Sequence, residues 1–193
     1  MRVRLLSLVL MIATGLGSSA QETPCAMLKT KDTQLLRGFL QEQQSLRQSP
    51  CLPSVIKQLG QLHDVEAIHL LVGYLDYMDP KTAPLPNGGA TVWPSYPAVS
   101  ALFQIGKPAT IELLSAIQTG GSPPKIRENA VDAYASIYRD DLPSGIRALK
   151  TAELLAKTED ERRRLSEARQ KLIAYCNARG EKEAEACRSA ATG

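Results

Sequence analysis

From Asp32 onward the apolar residues recur every three or four positions, in short segments punctuated by Gly, Pro, Ser and Asp. That spacing lines them up on one side of a helix, so the pattern predicts a succession of short amphipathic helices. Leu35, Leu36, Phe39, Leu40 and Leu46 predict a first helix after Asp32. Ser49-Pro50 supply an N-cap and a first-turn proline for a second, whose stripe is Val55, Ile56, Leu59 and Leu62. Asp64 caps a third, in which Ile68, Leu71, Val72 and Leu75 share a face. Ser95 opens the next, with Val99, Leu102, Phe103 and Ile105. Gly106 breaks it, and Pro108 restarts the chain ahead of Ile111, Leu114 and Ile117. Ser122-Pro123 begin a helix with Ile126, Ala130, Val131, Tyr134 and Ile137, and its partner after Asp140-Asp141 carries Ile146, Leu149 and Leu155. Thr158 with Glu161 makes a capping box for a longer helix bearing Leu165, Ala168, Leu172 and Tyr175.

The helices come in pairs, and the pairs superpose in sequence. Val55-Ile56-Lys57-Gln58-Leu59-Gly60 matches Ala101-Leu102-Phe103-Gln104-Ile105-Gly106 at an offset of 46 residues, and Ala133-Tyr134-Ala135-Ser136-Ile137-Tyr138 follows at 32. The longer offset contains an insertion, so the underlying period is near 30 residues, a spacing at which helix pairs bury their stripes against neighbouring pairs.

The run from Leu59 to Ile68 with Leu71, Val72 and Leu75 resembles a HEAT-like repeat of the short bacterial type, also found in phycobilin lyases. Ala101-Leu102 with Ile105-Gly106-Lys107-Pro108-Ala109 and Ile111, Leu113 and Leu114 is similar to a second copy. Ile126-Arg127 with Ala130, Val131 and Ala133 resembles a third, in which Tyr138 replaces the helix-ending glycine. The resemblance implies an all-α fold, a short right-handed α-solenoid of HEAT-like hairpins with disulfide-stapled terminal caps. The divisions are a signal peptide at 1–20, a capping helix at 21–49, repeats at 50–157 with an insertion at 79–97, and a helical hairpin cap at 158–193. Such repeats are scaffolds for unrelated partners, so the resemblance speaks to fold more than to function.

Composition changes this picture little: 44% hydrophobic, 22% charged and 5% aromatic residues suit one helical domain. The first residues change it more. Arg2 and Arg4 precede an apolar run from Leu5 to Leu16 that ends in Gly17-Ser18-Ser19-Ala20, the pattern of a secretory signal cleaved after Ala20. The run is short for a membrane span, and cleavage removes two arginines and no acid, so the net charge falls from +3 toward neutrality. No nucleic acid or anionic membrane is then expected as partner, and the protein is expected to be periplasmic or extracellular.

Export makes disulfides the default for Cys25, Cys51, Cys176 and Cys187, which lie at the two ends of the mature chain. Three pairings are open. Cys25 with Cys51 and Cys176 with Cys187 are favoured, because each pair brackets one terminal turn or hairpin. Zinc is disfavoured, since neither interval is a short metal-binding knuckle.

Chemistry-bearing constellations are few. His63 and His69 stand six residues apart across a turn, not at the spacing that offers two imidazoles to one metal. No Gly-x-Ser-x-Gly elbow or phosphate loop is present, and Gly88-Gly89 lacks the flanking strand and helix. No catalytic residue, cofactor or metal is expected. Arg162-Arg163-Arg164 lie among Glu159, Asp160, Glu161 and Glu167 at helical pair spacing, which favours a solvated, salt-bridged face over an acidic-ligand site. The strongest functional hint is the insertion, rich in proline and carrying Trp93 and Tyr96, with Tyr77 before it. Long loops of this kind either bind or fold back as lids. Partner-binding candidates are therefore Tyr77, Trp93 and Tyr96 on the insertion and Glu66, His69 and Glu112 on the second helices of the repeats. The expected function is an exported, non-enzymatic scaffold that holds another protein. The alternatives are a small-ligand or cell-wall binding protein using the Trp93 loop, and a lyase of the phycobilin-lyase kind.

Overall fold

The structure is a computed structural model describing residues 25–82 and 95–192. Residues 1–20, expected to be a signal segment, and Trp93 lie outside the described residues. Among the described residues the chain forms nine α-helices and no strand: α1 (Thr33–Gln43), α2 (Leu52–Gln61), α3 (Ile68–Gly73), α4 (Pro97–Ile105), α5 (Thr110–Gln118), α6 (Pro124–Ile137), α7 (Leu142–Leu154), α8 (Glu159–Asn177) and α9 (Glu181–Thr192).

Local chemistry accounts for most of the boundaries. Asp32 accepts hydrogen bonds from the backbone N–H groups of Gln34 and Leu35 at 3.0 and 3.3 Å, capping α1. Thr158 and Glu161 form the expected capping box at the start of α8. Three starts fall elsewhere. Helix α2 begins at Leu52 with Cys51 as its cap, and Pro53 rather than Pro50 occupies its first turn. Helix α4 begins at Pro97, because the Ser95 hydroxyl donates to the Thr82 carbonyl at 2.6 Å and is spent there. Helix α6 begins at Pro124, with Pro123 as the preceding residue.

Helix α2 packs along α4, and α4 along α6; α3 lies against α4 and α5, and α5 against α6 and α8. The first row keeps register: α2 buries Val55, Ile56 and Leu59, α4 buries Ala101, Leu102 and Ile105, and α6 buries Ala133 and Tyr134. The second row does too. Both α3 and α5 are entered through a 3-10 turn, Val65–Ala67 and Lys107–Ala109, and Ala67 and Leu71 match Ala109 and Leu113, all fully buried. The third pair differs: α7 makes its main contacts with α8 and α9, not with α6. One apolar core runs from Leu36 of α1 to Ala190 of α9.

The match of Gly60 with Gly106 breaks down in three dimensions. Gly106, at φ 82°, ends α4 and stands where Asp64 stands before α3, each capping the next 3-10 turn. Gly60 instead lies inside α2, where a Cβ would come within 2.5 Å of the Ala101 Cα. It sets how closely α2 approaches α4. A second close approach accounts for the tyrosine at position 138: it packs over Gly145 of α7, whose carbonyl also accepts the Tyr134 hydroxyl at 3.2 Å.

Several apolar residues assigned to buried stripes face water. Ile111 is 75% exposed and Leu155 74%, and Leu35, Leu46 and Tyr175 are also exposed. In α5 the buried face is Leu113, Ala116 and Ile117, and Ile111, about 200° round the helix from Leu113, lies on the other side, while Leu155 is the residue that caps the C-terminus of α7.

Helix C-termini leave carbonyls without intrahelical partners, and long side chains from other elements satisfy them. Arg47 donates to the Gly73 carbonyl at 2.8 Å, Arg164 to that of Gln118 at 2.9 Å and Lys150 to that of Thr192 at 2.9 Å, while Arg179 donates to that of Arg139. Each cation also faces the negative end of the helix it closes. Buried Asn129 of α6 does the same for Leu75 after α3, at 2.6 Å.

Both favoured disulfides are formed. Cys25–Cys51 ties the segment before α1 to the start of α2, and Cys176–Cys187 ties α8 to α9, with Cα separations of 5.5 and 6.4 Å. No helix among the described residues is long and apolar enough to cross a membrane.

Candidate functional site

The insertion leaves and rejoins the fold at a closed neck. The Asp79 backbone N–H donates to the Ser95 carbonyl at 2.8 Å, and the Ser95 hydroxyl reaches the Thr82 carbonyl. The buried Asp79 carboxylate accepts from the Lys81 backbone N–H at 3.0 Å and lies 3.9 Å from the Lys57 ammonium. A 3-10 turn, Pro80–Thr82, fills the near side, so the insertion is anchored at its base by polar residues that composition alone does not single out.

Tyr77 and Tyr96 flank this neck, both half-buried against the core. Tyr77 meets Tyr74 edge-on, with ring centroids 6.3 Å apart. Burial raises its pKa, and the nearby Asp79 carboxylate raises it further. Tyr96 lies under the Lys125 ammonium, 4.9 Å from the ring centroid. Trp93, the remaining aromatic candidate on the insertion, lies outside the described residues.

The other three candidates sit on the second row. Glu66 is on the turn before α3 and is exposed, though its carboxylate pairs with Arg37 at 2.7 Å. Arg37 also holds the buried Asp64 carboxylate at 2.9 Å, so α1 and the entry to α3 are joined through one guanidinium. His69 is exposed on α3, and Glu112 is half-buried on the packed neighbour α5. Counted from the buried pairs Ala67/Ala109 and Leu71/Leu113, His69 and Ile111 hold equivalent positions, and both face solvent. The two rows of candidates, insertion neck and second-row helices, are joined by no hydrogen bond or ion pair among the described residues.

The arginine run splits. Arg162 pairs with Glu159 at 2.5 Å, and Arg163 with Asp160 and Glu167 at 3.3 Å each, the solvated face expected. Arg164 turns inward to α5. Tandem spacing gave no clue to this, because only the packing of α5 against α8 brings the Gln118 carbonyl within reach.

Comparison with models of protein families, with curated proteins and with solved structures finds no match for this chain.

Proposed function

We propose that the protein is an exported, non-enzymatic helical-repeat scaffold that holds a protein partner on the solvent face of α3 and α5. The observation that carries this is the exposed pair His69 and Ile111, equivalent positions on two packed helices, with Glu66, Glu112 and Val65 close in sequence. Ile111 at 75% exposure and Val65 at 52%, with His69, Glu66 and Glu112 near them in sequence, give these two helices a mixed apolar and polar solvent face of the kind interfaces use. The matched burial of α2, α4 and α6 supports a short HEAT-like stack, with disulfide-tied ends shielding its terminal faces. The two disulfides and the N-terminal Arg2-Arg4 and apolar run support export.

The test is recovery of bound proteins from the exported fraction of the native cells by the mature chain, beside Ile111→Glu and Glu112→Ala. A protein retained by the wild type and lost on Ile111→Glu, with an unchanged helical spectrum, supports the scaffold. Equal recovery by all three removes this face. A second reading, ligand or cell-wall binding through the insertion, draws on the pinned neck with Tyr77 and Tyr96 beside it. It gains support if a small molecule or a glycan is recovered instead.

A further inference from the structure

A concavity of about 240 Å³ lies where the end of α5, the start of α6 and the first half of α8 meet. Its floor is apolar: Ile117, Val131 and Ala168 are each under a tenth exposed, and Pro124 closes one side. Its rim is charged, and the pairing of those charges is uneven. Glu128 and Glu167 line it, but each is engaged by a cation that does not, Lys125 at 3.1 Å and Arg163 at 3.3 Å. Lys171 is paired with Asp132 at 2.7 Å. That leaves Arg127 and Arg164.

Neither arginine has an ion pair among the described residues. Arg127 donates to the Ser122 carbonyl just before its own helix, and Arg164 to the Gln118 carbonyl through Nε. Glu161, on the same turn of α8 as Arg164, has its Oε2 taken by the Lys157 and Thr158 backbone N–H groups at 2.7 and 3.2 Å. A guanidinium has five N–H donors in a planar fork, so each arginine is fixed by one bond and keeps donors to spare. Two half-buried guanidiniums beside an apolar floor, neither in an ion pair among the described residues and only Arg164 acting on Glu161 from farther off, present spare donors that an anion can take. The N-terminus of α6 at Pro124 adds the same sign of field.

We propose that this concavity binds an oxyanion, carboxylate or phosphate, carried on a short apolar chain. Arg127 and Arg164 grip the anion, and Ile117, Val131 and Ala168 receive the chain. The site is separate from the partner face of α3 and α5 and stands or falls without it.

The probes are hexanoate and hexyl phosphate, with hexanol as the neutral control, titrated into the mature chain while backbone amide resonances of Val131 and Ala168 are followed. At least one anion should shift them with a dissociation constant of about 1 mM, the range open to so small a ligand, and hexanol should not. Hexanoate alone, hexyl phosphate alone, or both, identifies the oxyanion. Arg127→Gln with Arg164→Gln should weaken binding about tenfold or more, and Arg162→Gln, whose partner Glu159 does not line the concavity, should leave it unchanged. If the double variant fails to fold, Arg127→Gln alone decides, since its anchor at Ser122 is local, just before its own helix; its expected loss is about threefold to tenfold. The proposal is overturned if neither anion binds at about 20 mM, if hexanol binds as well as the anions, or if the arginine variants bind like the wild type.

Discussion

Replacing Gly60 by alanine separates helix propensity from helix packing. In an isolated helix the change stabilises by about 1 kcal/mol, because alanine loses less backbone entropy. Here the added Cβ would lie 2.5 Å from the Ala101 Cα, 2.8 Å from its Cβ and 3.1 Å from its carbonyl oxygen. Two of those contacts are with backbone, so no rotamer change relieves them; α2 and α4 must separate. Parting a packed interface by even half an ångström to one ångström forfeits about a quarter to a half of each contact's dispersion energy. Overpacking of this kind costs about 1–3 kcal/mol, and at this main-chain contact the upper half of that range applies. Packing therefore wins, and Gly60→Ala should destabilise by about 1–2 kcal/mol net, lowering the melting temperature by about 2–8 °C. Gly38→Ala in α1, where a Cβ meets nothing within 4 Å, is the control and should stabilise by up to about 1 kcal/mol. Urea unfolding followed by helical circular dichroism, with disulfides intact, measures both. Stabilisation of similar size at the two positions would refute the close contact of α2 with α4.

Leu113→Ala should cost about 2–5 kcal/mol and Ile111→Glu within about 0.5 kcal/mol in the same assay, and comparable losses would mean that the buried face of α5 is wrong. Non-reducing mass spectrometry should show four hydrogens fewer than the reduced chain, with peptides linked Cys25–Cys51 and Cys176–Cys187; reduction should cost about 2–4 kcal/mol per bridge, and free thiols in protein purified without reductant would contradict this. Burial raises the pKa of Tyr74, Tyr77 and Tyr134, so the folded chain holds these protons more tightly than the unfolded one. Their contribution is therefore complete below the unfolded value near pH 10 and is lost above it; the melting temperature should fall beyond about pH 10, and a flat profile to about pH 11 would refute the burial of these phenols. Replacing residues 83–92 by a short Gly/Ser linker should leave stability nearly unchanged, because closure entropy varies slowly with length and the Asp79–Ser95 neck remains; a large loss by thermal melt would show that the insertion packs on the core.

Helix content, the caps at Asp32, Asp64 and Thr158, and the register of α2, α4 and α6 were legible along the chain, because each depends on residues within a turn or two of one another. Of the three cysteine pairings left open along the chain, the favoured one is formed. Cap residues misled where a neighbour from elsewhere had a prior claim, as Thr82 has on the Ser95 hydroxyl. Periodicity misled at Ile111 and Leu155, since it places residues on a helix face without saying which face meets another helix or where the helix ends.

Among the candidate residues, position in the chain located Glu66, His69 and Glu112 on the second row but did not show that Arg37 already holds Glu66. It could not separate Arg164 from Arg162 and Arg163, three identical side chains in succession. By itself the sequence determined an all-helical chain with matched apolar stripes and cysteines confined to its ends, because short-range sterics, capping and hydrophobic period are local properties. Tertiary structure alone decided that α7 pairs with α8, that Gly60 is a contact and Gly106 a turn, and that two arginines line one hollow whose carboxylates are already paired with other cations. Those outcomes depend on which surfaces meet across long sequence separations, where the free energy is set by shape and by the partners left over once nearer groups have paired.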